Sequence, residues 1–360
     1  MHKQPTSLEV KRHTLCHKRF LSLLPSKFQS EDSNRLAIAY FSLSSLELLN
    51  QLTIFKVDEL EEFKYYIYKH YIEDDQFAGF RGSLTYNESI RSIDLAATCF
   101  SLQCLLVLKD ELKGVDVKKV MRFVQNCQMQ NGGFTNNFLI SNDDKDLRYC
   151  MIATTISKIL LRDLHYIQDW INIPKLVTYI SELQNYDGGF SMYQGDESHC
   201  GMVFCAINAL STIEYDFSSD EVKFDSLLNF LVHRQIYFNS FNEAELIENE
   251  YMDMDDNGGF NGRLNKYGDT CYVFWALSSL SLINKEDLID QELALNFLLN
   301  KTQNSNMGGF NKTTDADELP DPLHSFLGLS ALSILEYPMT GKINCNLVIP
   351  ETSYTFWKNL

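Results

Sequence analysis

The sequence has no excess of basic residues. Its 31 Lys and Arg stand against 48 Asp and Glu, a net charge of −17. That argues against a nucleic-acid partner, because affinity for a phosphate backbone rests on clustered cations. A basic peptide or protein tail suits the balance better, and a solvated acidic surface accounts for it without any partner. No apolar run approaches the length of a membrane span, so no integral membrane segment is expected. The basic amino-terminal stretch lacks the apolar core of a secretory signal. The last four residues, Trp357-Lys358-Asn359-Leu360, do not form a prenylation box. Nor is there a disulfide framework. Nine cysteines are scattered, mostly in apolar runs such as those around Cys99, Cys104, Cys150 and Cys205. That is the usage of a reduced intracellular protein, and a cytoplasmic location is expected. No strand pattern of any length is evident.

What is present is a repeat. Gly-Gly-Phe occurs at 132–134, 188–190, 258–260 and 308–310, with a worn copy, Ala78-Gly79-Phe80, upstream. A period of fifty to seventy residues marks a repeat architecture. Between the copies two kinds of helical segment alternate. One kind is apolar on most sides, as expected of a buried helix: 35–49, 93–108, 147–161, 199–213, 269–283 and 323–335. The other is amphipathic: 57–71, 116–128, 174–185, 221–235 and 287–303. The pattern predicts an all-α fold, an α/α barrel or toroid of about six inner and outer helix pairs. The glycines end the outer helices and the phenylalanine anchors each turn. The length of 360 residues would suit two domains, but the repeat runs almost end to end and predicts one, over 1–360. The copies at 188–190 and 258–260 are the furthest apart, because residues 239–257 form an acidic insertion with seven acids and no Lys or Arg.

In such a barrel the inner helices are parallel and their first turns share one mouth. Two groups of polar residues fall there. Asp269, Cys271 and His324 offer a carboxylate, a thiol and an imidazole. Three protein ligands with an open fourth position is the pattern of a catalytic zinc. The spacing alone also allows Asp269 as a helix cap, Cys271 as a core thiol and His324 as a satisfied polar residue. The second group is cationic: Arg148, His199, Arg263 and Lys266, with Tyr272 as a hydroxyl donor. Beside helix N-termini it suits a diphosphate, although surface ion pairs would also account for each member.

These segments carry a resemblance. RLNKYGDTCYVFW (263–275) is similar to the signature of the protein prenyltransferase β subunits, as are LHSFLGLSAL (323–332), ESHCGMVFC (197–205) and DLRYC (146–150). The likeness spans roughly residues 18–336 and leans to the type I, or CaaX, geranylgeranyl branch. It implies Asp269, Cys271 and His324 as zinc ligands. His199, Arg263, Lys266 and Tyr272 match residues holding an isoprenoid diphosphate, with Arg148 lining that cavity and Trp275 an aromatic wall of the lipid pocket. Lys312 matches a lysine that type I enzymes place where the farnesyl enzyme binds magnesium, so a magnesium requirement stays open. Ala37 stands where the farnesyl enzyme has a tryptophan, which leaves room for a C20 donor. Phe41 and Leu323 match residues shaping the pocket for the end of the acceptor peptide, and imply a terminal leucine. The family's His-Gly-Gly run reads His199-Cys200-Gly201 here, and Met151 replaces an expected aromatic.

The resemblance implies transfer of a geranylgeranyl group from its diphosphate to a CaaX cysteine. The protein would work as a heterodimer with an α subunit, on acceptors such as small GTPases of the Rho and Rap type. Competing readings are a Rab-type or farnesyl enzyme, a noncatalytic scaffold that binds prenylated tails, and an α/α-barrel glycosidase. The last lacks the paired acids it needs at the mouth.

Overall fold

Helices that are apolar all round have to be covered all round, and that decides the architecture. In the computed structural model, residues 7–24, 26–140, 146–219, 222–238, 253–315 and 317–360 are described. Numbered along the chain, the buried helices are α2 (Arg35–Leu48), α4 (Leu95–Val107), α6 (Leu147–Leu161), α9 (Cys200–Thr212), α11 (Thr270–Leu282) and α13 (Pro322–Ile334). Each packs on the next, and α13 returns to α2, closing a ring. Some of their hydroxyls turn back on their own helices: Ser45, Ser157, Thr212 and Ser279 donate to the carbonyls four residues earlier, whereas the buried hydroxyls of Ser42, Ser44, Ser101 and Ser330 find no partner among the described residues.

A second layer surrounds the ring: α1 (Val10–Ser22), α3 (Val57–Tyr68), α5 (Val117–Cys127), α8 (Ile173–Ser181), α10 (Phe224–Val232) and α12 (Gln291–Phe297), which runs on into a π turn over Leu298–Thr302. Two short helices, α7 (Leu164–Ile167) and α14 (Glu351–Lys358), lie outside the alternation. On α5 the residues Val120, Phe123, Val124 and Cys127 are fully buried, the stripe of a helix packed on one face.

The repeat does three jobs at each turn. Its Phe is buried completely at 80, 134, 190, 260 and 310. Burying a phenyl ring stabilises by roughly 2–3 kcal/mol. The first glycine of each full copy has a positive φ, between 76° at Gly308 and 98° at Gly132. A side chain there would also collide with the backbone of the next outer helix: Lys175 for Gly132, Ser226 for Gly188, Leu293 for Gly258 and Arg12 for Gly308. The last contact shows how the ring shuts. The amino-terminal helix α1 receives the turn at Gly308 just as α8 receives the turn at Gly132.

The third job belongs to a glutamine ahead of the glycines. Gln128, Gln184 and Gln235 each bridge to the N-cap residue of the next outer helix, accepting its N–H and donating to its carbonyl. The partners are Asn172, Lys223 and Asp290, at 2.8–3.2 Å. Gln303 accepts the N–H of Glu9 at 2.9 Å, which again ties the last repeat to the first.

Short strands do occur, against expectation. β1 (Tyr71–Glu73), β2 (Ala78–Arg81) and β3 (Ile93–Asp94) form an antiparallel sheet, and β4 (Ile343–Asn344) pairs with β5 (Ile349–Pro350). The first sheet contains the worn copy. Without the glycine pair the turn cannot fold back tightly, and the segment stays extended and pairs with its flanks. Of the acidic insertion, residues 239–252 lie outside the described residues. Its end is anchored: Asp256 is buried and accepts the Gly268 N–H at 2.9 Å, and burial raises its carboxyl to about 6.

The two ends of the ring differ. At one, the N-termini of neighbouring inner helices are stitched together, with Leu95 N–H on Asn136, Cys200 N–H on Gly262 and Thr270 N–H on Lys312. At the other, the carboxy-terminal segment forms a floor. Gln103 of α4 donates to Leu347 O at 2.8 Å, Asn208 of α9 to Asn346 O at 2.8 Å, and Trp357 to Ile159 O at 2.9 Å.

Candidate active site at the mouth of the ring

The site is built on helix caps. Five inner helices begin with a side chain that accepts a first-turn N–H: Asp94, Asp146, His199, Asp269 and Asp321. Each cap satisfies a donor that the helix leaves orphaned. Two or three places after these caps stand Arg148, Cys271, Tyr272, Leu323 and His324.

Asp269, Cys271 and His324 converge. One ligand atom from each lies within 4.8 Å of the others, and all three residues are buried. Asp269 is therefore both cap and candidate ligand. Its Oδ1 takes the Cys271 N–H at 2.8 Å and faces His324 Nε2 at 3.4 Å. Sequence reasoning missed Asp321, whose Oδ2 sits 2.6 Å from His324 Nδ1. That contact places a proton on Nδ1 and leaves Nε2 to face the group. The signal was legible as Asp-x-x-His at a helix start.

Electrostatics favour a cation here. Burial lowers the His324 pKa, but Asp269 and Asp321 together raise it to about 9. Burial and the Asp269 carboxylate push the Cys271 thiol well above its ordinary value. The thiolate exists in this environment only against a positive charge. A carboxylate, a thiol and an imidazole in one buried cluster fit a divalent metal of the zinc type.

The second group meets the first across α11. Tyr272 OH lies 2.9 Å from His199 Nε2 and its ring packs edge-on against His199 at 5.3 Å. His199 Nδ1 accepts the Gly201 N–H at 3.1 Å, so in the neutral ring Nε2 carries the proton and donates to the phenol oxygen. The phenol proton is then free to point away from the imidazole. Burial, then Arg263, lower the His199 pKa, and burial raises that of Tyr272, which keeps both groups neutral near pH 7. Trp275 stacks edge-on below Tyr272 at 5.3 Å.

The cations at this edge are half-exposed or exposed. Arg263 pairs with Glu197 at 3.1 Å and Arg148 with the buried Asp146. Lys266 is exposed and makes no ion pair among the described residues, and Lys312 is exposed, with its charge lowering the Cys271 thiol. Glu197 was not anticipated. Deeper in, Ala37 and Phe41 share a face of α2. Phe41 stacks on Phe326 of α13 at 5.7 Å and meets Phe100 of α4 at 5.8 Å. Leu323 lies one turn before Phe326 on the same wall.

A family model for the prenyltransferase alpha-alpha toroid domain matches residues 8–349. The chain belongs to the prenyltransferase family. Within it, the sequence is 31% identical to the Arabidopsis thaliana geranylgeranyl transferase type-1 subunit beta, over 92% of this chain and 86% of the relative. It is 29% identical to the Dictyostelium discoideum subunit of the same name, over 90% of each. Among solved structures, Candida albicans protein geranylgeranyltransferase-I complexed with GGPP aligns with a TM-score of 0.87 and 36% identity, covering 98% of both chains. This prenyltransferase toroid is thus matched along its whole length, and its affinities run to the type-1 β subunits. No helix among the described residues is long and apolar enough to cross a membrane.

Proposed function

We propose that this chain is the catalytic β subunit of a zinc-dependent protein geranylgeranyltransferase type I. It transfers a C20 geranylgeranyl group from geranylgeranyl diphosphate to the cysteine of a carboxy-terminal CaaX sequence, preferring a terminal leucine. The observation that carries the reading is the junction on α11. There the Asp269–Cys271–His324 group and the His199–Tyr272 pair are separated by a single residue step, from Cys271 to Tyr272.

Asp269, Cys271 and His324 would hold the zinc, with Asp321 orienting the imidazole. Bound there, zinc would supply a Lewis acid that favours the acceptor sulfur in its nucleophilic thiolate form. The C1–O bond of the donor breaks as the C1–S bond forms, giving a thioether and free diphosphate. Charge builds on the departing oxygens, and the Tyr272 hydroxyl, Arg263, Lys266, Arg148 and Lys312 face it. His199 works through Tyr272 by keeping the phenol proton directed outward. The aromatic wall of Trp275 excludes water and holds the lipid beside the sulfur, while Phe41, backed by Phe326, and Leu323 shape the pocket for the end of the acceptor peptide. Ala37 leaves the space that the fourth isoprene unit fills.

The assay that tests this supplies an α subunit and compares C15 and C20 donors against CaaX peptides ending in Leu, Ser or Met. C20 transfer to the Leu peptide is expected to dominate. A requirement for an escort protein would instead mark a Rab-type enzyme, and prenyl-tail binding without transfer would mark a scaffold. Repeating the assay with and without magnesium measures how far Lys312 replaces a divalent cation. Ala37→Trp is expected to shift preference toward the C15 donor, and an unchanged preference would reject this account of the pocket.

A further inference from the structure

The groups on the diphosphate side meet around one residue that has no side chain. Gly262 lies two places after Phe260. In the other full copies that place holds Asn136, Met192 or Lys312. Gly262 is not among the glycines of positive φ, so its backbone does not demand glycine. Space does. A Cβ there would stand 2.5 Å from both Cε1 and Oη of Tyr272, and closer still to Cζ. The Gly262 carbonyl accepts the N–H of Cys200 at 2.9 Å, at the first residue after His199. The residue that follows is Arg263. Gly201 makes matching room on the other side, since a Cβ there would lie 3.2 Å from the His199 ring and from Trp275 Cε3.

We propose that Gly262 is a positioning residue for the leaving diphosphate. The space it leaves seats the Tyr272 ring against His199, and its carbonyl fixes the start of α9. His199, Tyr272 and Arg263 are thereby set as one unit. This rests on the reading of the site as a diphosphate-handling one. Any side chain at 262 drives the phenol off His199 Nε2 and misdirects its proton.

The test is a double-mutant cycle on the complex with the α subunit, using Gly262→Ala and Tyr272→Ala. Single-turnover transfer from geranylgeranyl diphosphate is expected to fall about tenfold or more in Gly262→Ala, within the range for loss of one preorganised donor. Tyr272→Ala should lose a similar factor, and the double variant should be no slower than the slower single. Bound zinc should stay at the wild-type level in all three, which a general loss of structure would not allow. A wild-type rate in Gly262→Ala, or a full additional loss on top of Tyr272→Ala, overturns the proposal. If Gly262→Ala does not fold, the double variant should, because the obstructing ring is gone; a double variant that also fails to fold overturns it. Should the wild-type complex transfer no lipid, the functional reading fails separately. The cycle is then read in melting temperature, where Gly262→Ala should destabilise the parent and leave the Tyr272→Ala background unchanged.

Discussion

Asp94 at the start of α4 and Asp269 at the start of α11 fill the same slot of the repeat. Each carboxylate accepts a first-turn N–H, from Ala97 at 2.7 Å and from Cys271 at 2.8 Å. Beyond Asp94 the chain reads Leu95-Ala96-Ala97; beyond Asp269 it reads Thr270-Cys271-Tyr272. Asp94 has Asn136 of the following repeat nearby, and burial raises its carboxyl to about 6. Asp269 has His324 of the following repeat instead. The cap is a property of the ring, and the chemistry comes from the two residues after it and from the neighbouring repeat.

The largest test of this contrast pairs substitutions in the two places. Cys271→Ala should lose bound zinc and reduce transfer to background. Asp94→Asn should keep both, because Asn caps a helix about as well as Asp. Metal analysis with a transfer assay reads the pair, and a Cys271→Ala protein with full zinc and normal turnover would sink the assignment. Next in size is Asp321→Asn. It keeps one oxygen for the cap and loses the second for His324 Nδ1. Zinc affinity should fall roughly ten- to hundredfold in a competitive chelator titration, the usual cost of removing a partner behind a metal ligand.

The smallest effect concerns the joint where α1 closes the ring. His13 is held by Gln303 and the Gly309 N–H, with its ring against Phe310, and His17 is wholly buried beside Phe20. Burial lowers their pKa values to about 4 and about 3. The unfolded chain therefore takes up these protons first. Their contribution is complete above the unfolded value of about 6.5 and declines as pH falls toward 4. The loss should be on the order of 3 kcal/mol for each histidine. His17→Leu should flatten the pH dependence of the melting temperature between those limits relative to wild type; an unchanged slope would show that α1 does not carry it.

Much of the fold was legible because the repeat is periodic. The five Phe anchors and the alternation of apolar and amphipathic segments needed no tertiary information. The bridging glutamine was less so. It stands four or five residues before the glycines in three copies, but the insertion separates Gln235 from Gly258. The strands around Phe80 were hidden because one missing glycine changes a turn into an extended pair. In the site, Asp269, Cys271 and His324 were legible as residue types in one mouth, while Asp321 looked like an ordinary cap until its second oxygen was seen against His324. Glu197 and Gly262 gave no sign, since their importance lies in what they touch across the ring.

By itself, then, the sequence determined the ring, its six-fold alternation and which helix starts would meet. Local periodicity and glycine stereochemistry act within a few residues, so they can be read in order along the chain. Only the tertiary structure decided that the Asp269–Cys271–His324 group and the His199–Tyr272 pair adjoin on α11, and that α1 seals the last repeat. Those facts depend on ring closure, which brings residues hundreds of positions apart within a few ångströms and leaves no local trace in the chain.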